Sequence, residues 1–215
     1  KNLESRFNTK VFLGSNGVDF EAIKNCPKAP KFYHHGKYEK TVGFSGTMLN
    51  KEVKNKIDLP LLMFLAKKRP LWRFLIIGPC DEAPLDNIKE LQLMPNVYFT
   101  GYVDPLELGG YLKHLDIGLL PYLKNEFNDG ILPIKLYEYV AACLPIVAIN
   151  LPATNFLSSS TEFFRSVDNH DTFLRACDDF VNRQMSSKEK NTYSQIAKSS
   201  DWKNVFHHMT KYIRS

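Results

Sequence analysis

The residues best suited to chemistry in this sequence are Lys135 and Glu138, three positions apart. On a helix that spacing places them on one face. Pro133 stands where a helix can begin, because its missing N–H is one of the groups a helix start leaves unpaired. A helix start carries partial positive charge and free N–H groups, so it suits a phosphate. Lys135 adds a full charge there, and Glu138, one turn in, can accept hydrogen bonds from a diol such as a ribose. The same spacing also suits a plain exposed ion pair worth about 0.2–0.5 kcal/mol. A second candidate is the small-residue loop Ser45-Gly46-Thr47, which follows an apolar run. A loop without bulky side chains lets backbone N–H groups approach a phosphate, although Gly after a strand is also ordinary turn chemistry. Lys51 is the nearest other cation to that loop in sequence.

The elements that position these residues follow from hydrophobic periodicity. Ile134, Leu136, Tyr137, Val140, Ala141 and Leu144 recur at helical spacing, Pro145 ends that helix, and Ile146-Val147-Ala148-Ile149 reads as a buried parallel strand. Upstream, strands are expected over 10–13, 41–44, 72–77, 97–100 and 116–121, and downstream over 162–167. Helices are expected over 51–68, 84–93, 105–114, 170–184 and 187–198, the last capped by Ser187, and from Asp201, itself a cap, to the end of the chain. Strand and helix alternate at intervals of roughly 20–30 residues, the βαβ pattern of a parallel sheet. The expected fold is therefore α/β, a doubly wound parallel sheet with its ligand at the C-terminal ends of the strands.

Composition narrows the classes. The chain has 215 residues, 44% hydrophobic and 24% charged, which fits one large globular domain or one domain with an appendage. A net charge of +5 suits anionic nucleotides or an anionic membrane surface, and lacks the dense basic runs of nucleic-acid binders. Cys26, Cys80, Cys143 and Cys177 are scattered without a CxxC pattern, which argues for reduced thiols and a cytoplasmic setting. No apolar stretch reaches the ~18 residues of a membrane span. The pairs His34-His35 and His207-His208 point to no metal site, the second reading as solvated surface.

The run Pro133-Ile134-Lys135-Leu136-Tyr137-Glu138-Tyr139, followed by Ala141-Ala142 and Pro145-Ile146-Val147, resembles the nucleotide-binding signature of GT-B glycosyltransferases of family 4, the group 1 type, in the variety that builds bacterial cell-surface polysaccharides. The resemblance covers about residues 11–215 and is strong at 116–149. It implies a Rossmann-like, donor-binding half of a retaining glycosyltransferase, a hexosyltransferase working on a UDP- or GDP-sugar with no further cofactor and no metal. It implies that residues 1–40 are the end of the acceptor-side half and a linker, with Asn16-Gly17-Val18-Asp19 as the crossing between halves. Residues 41–200 would be the donor domain and 201–215 a Trp-led helix crossing back to the first half. The chain alone, without that N-terminal acceptor domain, would be inactive. The location implied is cytoplasmic, with contact at the inner face of the membrane left open.

By the same resemblance Glu138 holds the donor ribose and Lys135 neutralises phosphate as the catalytic cation. Leu136 stands within the same donor-binding signature. Ser45, Gly46 and Thr47 face the diphosphate, and Tyr102 with the backbone of Val103 holds the base; Tyr102 packed on the sheet end is the bland alternative. Gly130 occupies the place, eight residues before Glu138, where many members carry a Glu that touches the donor sugar. Many members also have an Arg near the first loop, and none lies between Val42 and Arg69. Cys143 replaces a usual Gly, and a left-handed conformation there would cost on the order of 1 kcal/mol. A nucleotide-sugar epimerase of the same fold and a non-catalytic nucleotide-binding domain are the alternatives, the latter favoured by Gly130.

Overall fold

In the computed structural model, residues 16–28, 38–51 and 56–213 are described. The expected strand at 10–13, most of the linker and His34-His35 lie outside them. Among the described residues the first helix is α1 (Phe20–Asn25), capped by Asp19, whose carboxylate accepts from Ala22 N. The chain then alternates: β1 (Lys40–Ser45), α2 (Leu59–Lys68), β2 (Trp72–Ile77), α3 (Asp86–Gln92), β3 (Val97–Phe99), α4 (Leu108–Leu112) and β4 (Ile117–Leu120). A short α5 (Glu126–Asp129) precedes α6 (Ile134–Ala141) and β5 (Ile146–Ile149). After a short α7 (Asn155–Ser158) come β6 (Phe164–Val167), α8 (His170–Val181), α9 (Ser187–Ser199) and α10 (Trp202–Ile213).

The six strands form one sheet in the order β3-β2-β1-β4-β5-β6, and every pairing is parallel. Strands β1, β2, β4 and β5 are nearly or wholly buried along their length, which is why they read as continuous apolar runs rather than alternating ones. Helices α2, α3 and α8 pack among themselves, as do α1, α4, α6 and α9, giving the two helical layers of a doubly wound sheet. The strand order reverses between β1 and β4, so their C-terminal ends flank the crevice where such folds bind ligands.

Several local expectations need correction. The single helix over 51–68 is broken at Ile57-Asp58. Ile57 bridges Tyr122 in an antiparallel pair, and Asp58 instead caps α2, accepting from Leu61 N at 2.9 Å, with Pro60 in the first turn. A Pro there belongs at a helix start and not in an interior. Pro133 is the N-cap of α6, with extended backbone, and not its first helical residue. Ser186 caps α9 in place of Ser187, because Ser186 and Glu189 have the spacing that lets each satisfy the other's backbone N–H. The helices α5 and α7 were not legible in the periodicity. Cys143 does take φ 55°, the left-handed conformation expected at the end of α6. All four cysteines are free, and burial pushes the Cys177 thiol up.

Candidate functional site

A cavity of about 340 Å³ opens at the reversal point, a size within the range of small-molecule sites. Its walls come from four segments and Asn16. The loop after β1 supplies Gly46 and Thr47, the break before α2 supplies Lys56 and Ile57, and β4 leads into Tyr122. Residues 131–135 carry the chain into α6, with Lys135 at the rim.

Each segment is held by identifiable bonds. Gly46 N donates to Ile77 C=O at 2.8 Å, tying the β1 loop to the end of β2. Gly78 follows with φ 141°, a conformation open to glycine and strained for other residues, and a Cβ there would collide with Gly46 C=O. Residues 56–58 pair antiparallel with 121–123: Leu123 N donates to Lys56 C=O at 2.8 Å, and Asp58 N to Pro121 C=O at 2.7 Å. Those bonds place Lys56 and Tyr122 side by side in the wall. Asn16 Nδ2 donates to Leu132 C=O at 2.6 Å, pinning the loop ahead of α6 from a residue 116 positions away.

The start of α6 has no side-chain cap, because Pro133 carries no acceptor. Leu136 N turns back to Pro133 C=O at 3.1 Å, and the dipole of such a helix start suits an anion. Lys135 Nζ lies 3.5 Å from Glu138 Oε1, and Ser45 Oγ lies 3.4 Å from Glu138 Oε2. Glu138 is only 12% exposed. Burial pushes its carboxyl above the usual glutamate range, and Lys135 and Ser45 oppose that shift only in part. Burial, reinforced by the nearby Glu138, also raises the Tyr122 phenol. Among the described residues, no group of three or more His, Cys, Asp or Glu side chains could hold a metal ion.

Among the residues singled out from sequence, Gly46, Thr47 and Lys135 meet across this cavity, with Ser45 and Glu138 immediately behind them. The Leu136 side chain is buried in the core, so only its backbone could face a ligand. Gly130 caps α5 with ordinary backbone, outside the lining, and a Cβ there would meet nothing nearer than Phe127 C=O at 3.8 Å. Tyr102 is 73% exposed, which excludes the alternative of a ring packed on the sheet end; Val103 is half-buried against the core. Neither lines the cavity. Lys51 does not line it either; Lys56 does, its ammonium 5.7 Å from the Phe127 ring centre. Asn16, Lys56 and Tyr122 were missed. For Lys56 the signal was present in Asp58-Leu59-Pro60, a helix-start pattern that ends the preceding stretch before Asp58 and puts Lys56 next to the break.

Residues 39–183 match the family described as glycosyl transferases group 1. Over 205 residues the chain is 31% identical to a Bacillus subtilis (strain 168) protein named as a teichuronic acid biosynthesis glycosyltransferase, TuaH. That similarity covers 94% of this chain and 50% of the relative, so the chain spans about half the length of the curated relative it matches. The fold is shared with S. aureus TarM, crystallised with fondaparinux, α-GlcNAc-glycerol and UDP, at TM-score 0.65 and 18% identity over 99% of this chain and 42% of that one. It is also shared with Anabaena HepE, crystallised with UDP and glucose, at TM-score 0.56 and 16% identity over 81% of this chain and 48% of that one.

Proposed function

Given that the chain belongs to the group 1 glycosyl transferases and has the GT-B Rossmann-like fold, we propose that it binds the nucleoside diphosphate part of a nucleotide-sugar donor. The observation that carries this is the crevice itself: the uncapped start of α6 with Lys135, facing Gly46, Thr47 and Lys56, and Glu138 behind. In this reading the α6 N-terminus and the two lysines take the diphosphate, whose negative charge grows as the sugar leaves. Glu138 accepts from the ribose hydroxyls, and the exposed loop at Tyr102 and Val103 meets the base. Gly130, outside the cavity lining, offers no side chain to the sugar. No metal or cofactor enters the scheme.

The relative's name supports an acceptor in polysaccharide synthesis, and the UDP in the TarM and HepE crystals supports a uridine donor over a guanosine one. Transfer with retention would require an acceptor-binding half in addition to these residues, so the 215-residue chain is expected to bind donor without turning it over. Work at the cytoplasmic face of the membrane belongs to the same reading; among the described residues no helix is long and apolar enough to cross a membrane.

Calorimetric titration with UDP, GDP and uridine tests the proposal. UDP should bind, and uridine, which has no diphosphate, should bind far more weakly. Equal affinity for UDP and uridine would remove the diphosphate from the crevice. A non-catalytic nucleotide-binding role is the second reading, favoured by Gly130. Sugar transfer by a protein carrying both halves would exclude it.

A further inference from the structure

We propose that Tyr139 is a positioning residue for the nucleotide site, its hydroxyl inserted into the sheet where the crevice opens. Strands β1 and β4 pair at Val42↔Ile117 and Gly43↔Gly118. One step further along that parallel ladder, Ser45 N–H would reach Leu119 C=O. Instead Ser45 N donates to Tyr139 Oη at 2.7 Å, and the Tyr139 hydroxyl donates to Leu119 C=O at 3.3 Å. The phenol stands in the place of the missing ladder bond. Both buried backbone groups keep a partner, as they must, while the two strands part at that residue.

Space for the ring comes from Gly118. A Cβ at that position would lie 2.5 Å from Tyr139 Cδ2, a collision in a fully buried place. The device therefore has two parts, a glycine on β4 and a tyrosine on α6. Its position is what gives it a role. Ser45 ends β1, its Oγ lies 3.4 Å from Glu138, and Gly46 and Thr47 follow it into the cavity wall. Tyr139 is the residue next to Glu138. One side chain thus sets the loop after β1 against the helix that carries Lys135 and Glu138, and sets the width of the crevice between them.

The functional part of this inference rests on the nucleotide reading; the insertion itself does not. The test compares wild type, Tyr139→Phe and Tyr193→Phe. Tyr193 is a matched control: equally buried, its hydroxyl donates to Phe163 C=O at 2.9 Å and also bonds the Thr161 side chain, neither residue lining the cavity. UDP affinity is measured by calorimetry, stability by thermal melts, and Ser45 amide hydrogen exchange without nucleotide. Tyr139→Phe should lower UDP affinity roughly tenfold and change Ser45 exchange, while Tyr193→Phe keeps affinity within about twofold despite a similar loss of melting temperature. Equal affinity losses in the two variants, or unchanged affinity in Tyr139→Phe, overturn the proposal. If wild type binds no UDP, the nucleotide reading fails, and Ser45 exchange alone judges the insertion: the same rate in Tyr139→Phe as in wild type refutes it. If Tyr139→Phe does not fold, the hydroxyl proton resonance of Tyr139 in wild type decides. It should move on saturation with UDP, and a resonance that stays put refutes the coupling.

Discussion

Replacing Glu138 by Gln should separate stability from binding. Glu138 is 12% exposed, and its two polar contacts, at 3.4 and 3.5 Å, lie at the outer limit of hydrogen bonding. They offset only part of the cost of burying a carboxylate. Gln has the same size and no charge, so at neutral pH the Glu138→Gln protein should melt no lower than wild type, and higher if the burial cost dominates. The pH dependence follows from the raised carboxyl. Such a group adds stability that is complete below its unfolded pKa and is lost as pH rises through its folded pKa. The melting-temperature advantage of Glu138→Gln should therefore be greatest near neutral pH and shrink as pH falls toward the ordinary glutamate value of 4.5. Binding should move the other way. A charged acceptor is worth roughly 1.5–3 kcal/mol and a neutral one about 1 kcal/mol, so the loss is about 0.5–2 kcal/mol, or roughly two- to thirtyfold in UDP affinity. Glu138→Ala, which removes the acceptor outright, should lose about ten- to hundredfold. Calorimetric titration with UDP beside melts at several pH values gives both quantities. A Gln variant that binds UDP as wild type does, or that melts lower at neutral pH, would refute the reasoning.

Lys56→Ala and Lys135→Ala should each weaken UDP binding by roughly tenfold at low salt and by less at high salt, while Lys51→Ala, outside the cavity lining, leaves the affinity unchanged. Cys143→Gly relieves a non-glycine residue held at φ 55° and should raise stability by about 0.5–1 kcal/mol, seen as a rise of roughly 1–4 °C in melting temperature. Asp58→Ala removes the α2 cap and the 2.8 Å contact with His170, and should cost about 1–2 kcal/mol with faster amide exchange in the first turn of α2. Thiol titration of denatured, unreduced protein should count Cys26, Cys80, Cys143 and Cys177 in full.

The sequence by itself determined whatever depends on near neighbours. The apolar runs at 72–77, 117–120 and 146–149 read as buried parallel strands because a strand covered on both faces needs no polar alternation. The helix carrying Lys135 and Glu138 was legible from its own periodicity; the left-handed turn at Cys143 was suggested only by the glycine that the resembling family usually has there. Tertiary structure decided which residues meet. Periodicity running past Ile57 hid the break that turns Lys56 into the wall, because the antiparallel pairing with residues 121–123 lies more than 60 positions away. The tie from Asn16 to Leu132 spans 116 positions, and the insertion of Tyr139 between Ser45 and Leu119 spans 94 on one side. In sequence Tyr139 lies outside the apolar set read from the helix periodicity and appears only within the signature run that ends on it. Its hydroxyl acquires a partner on each strand only when the sheet reverses direction beneath it, and no local pattern encodes that reversal.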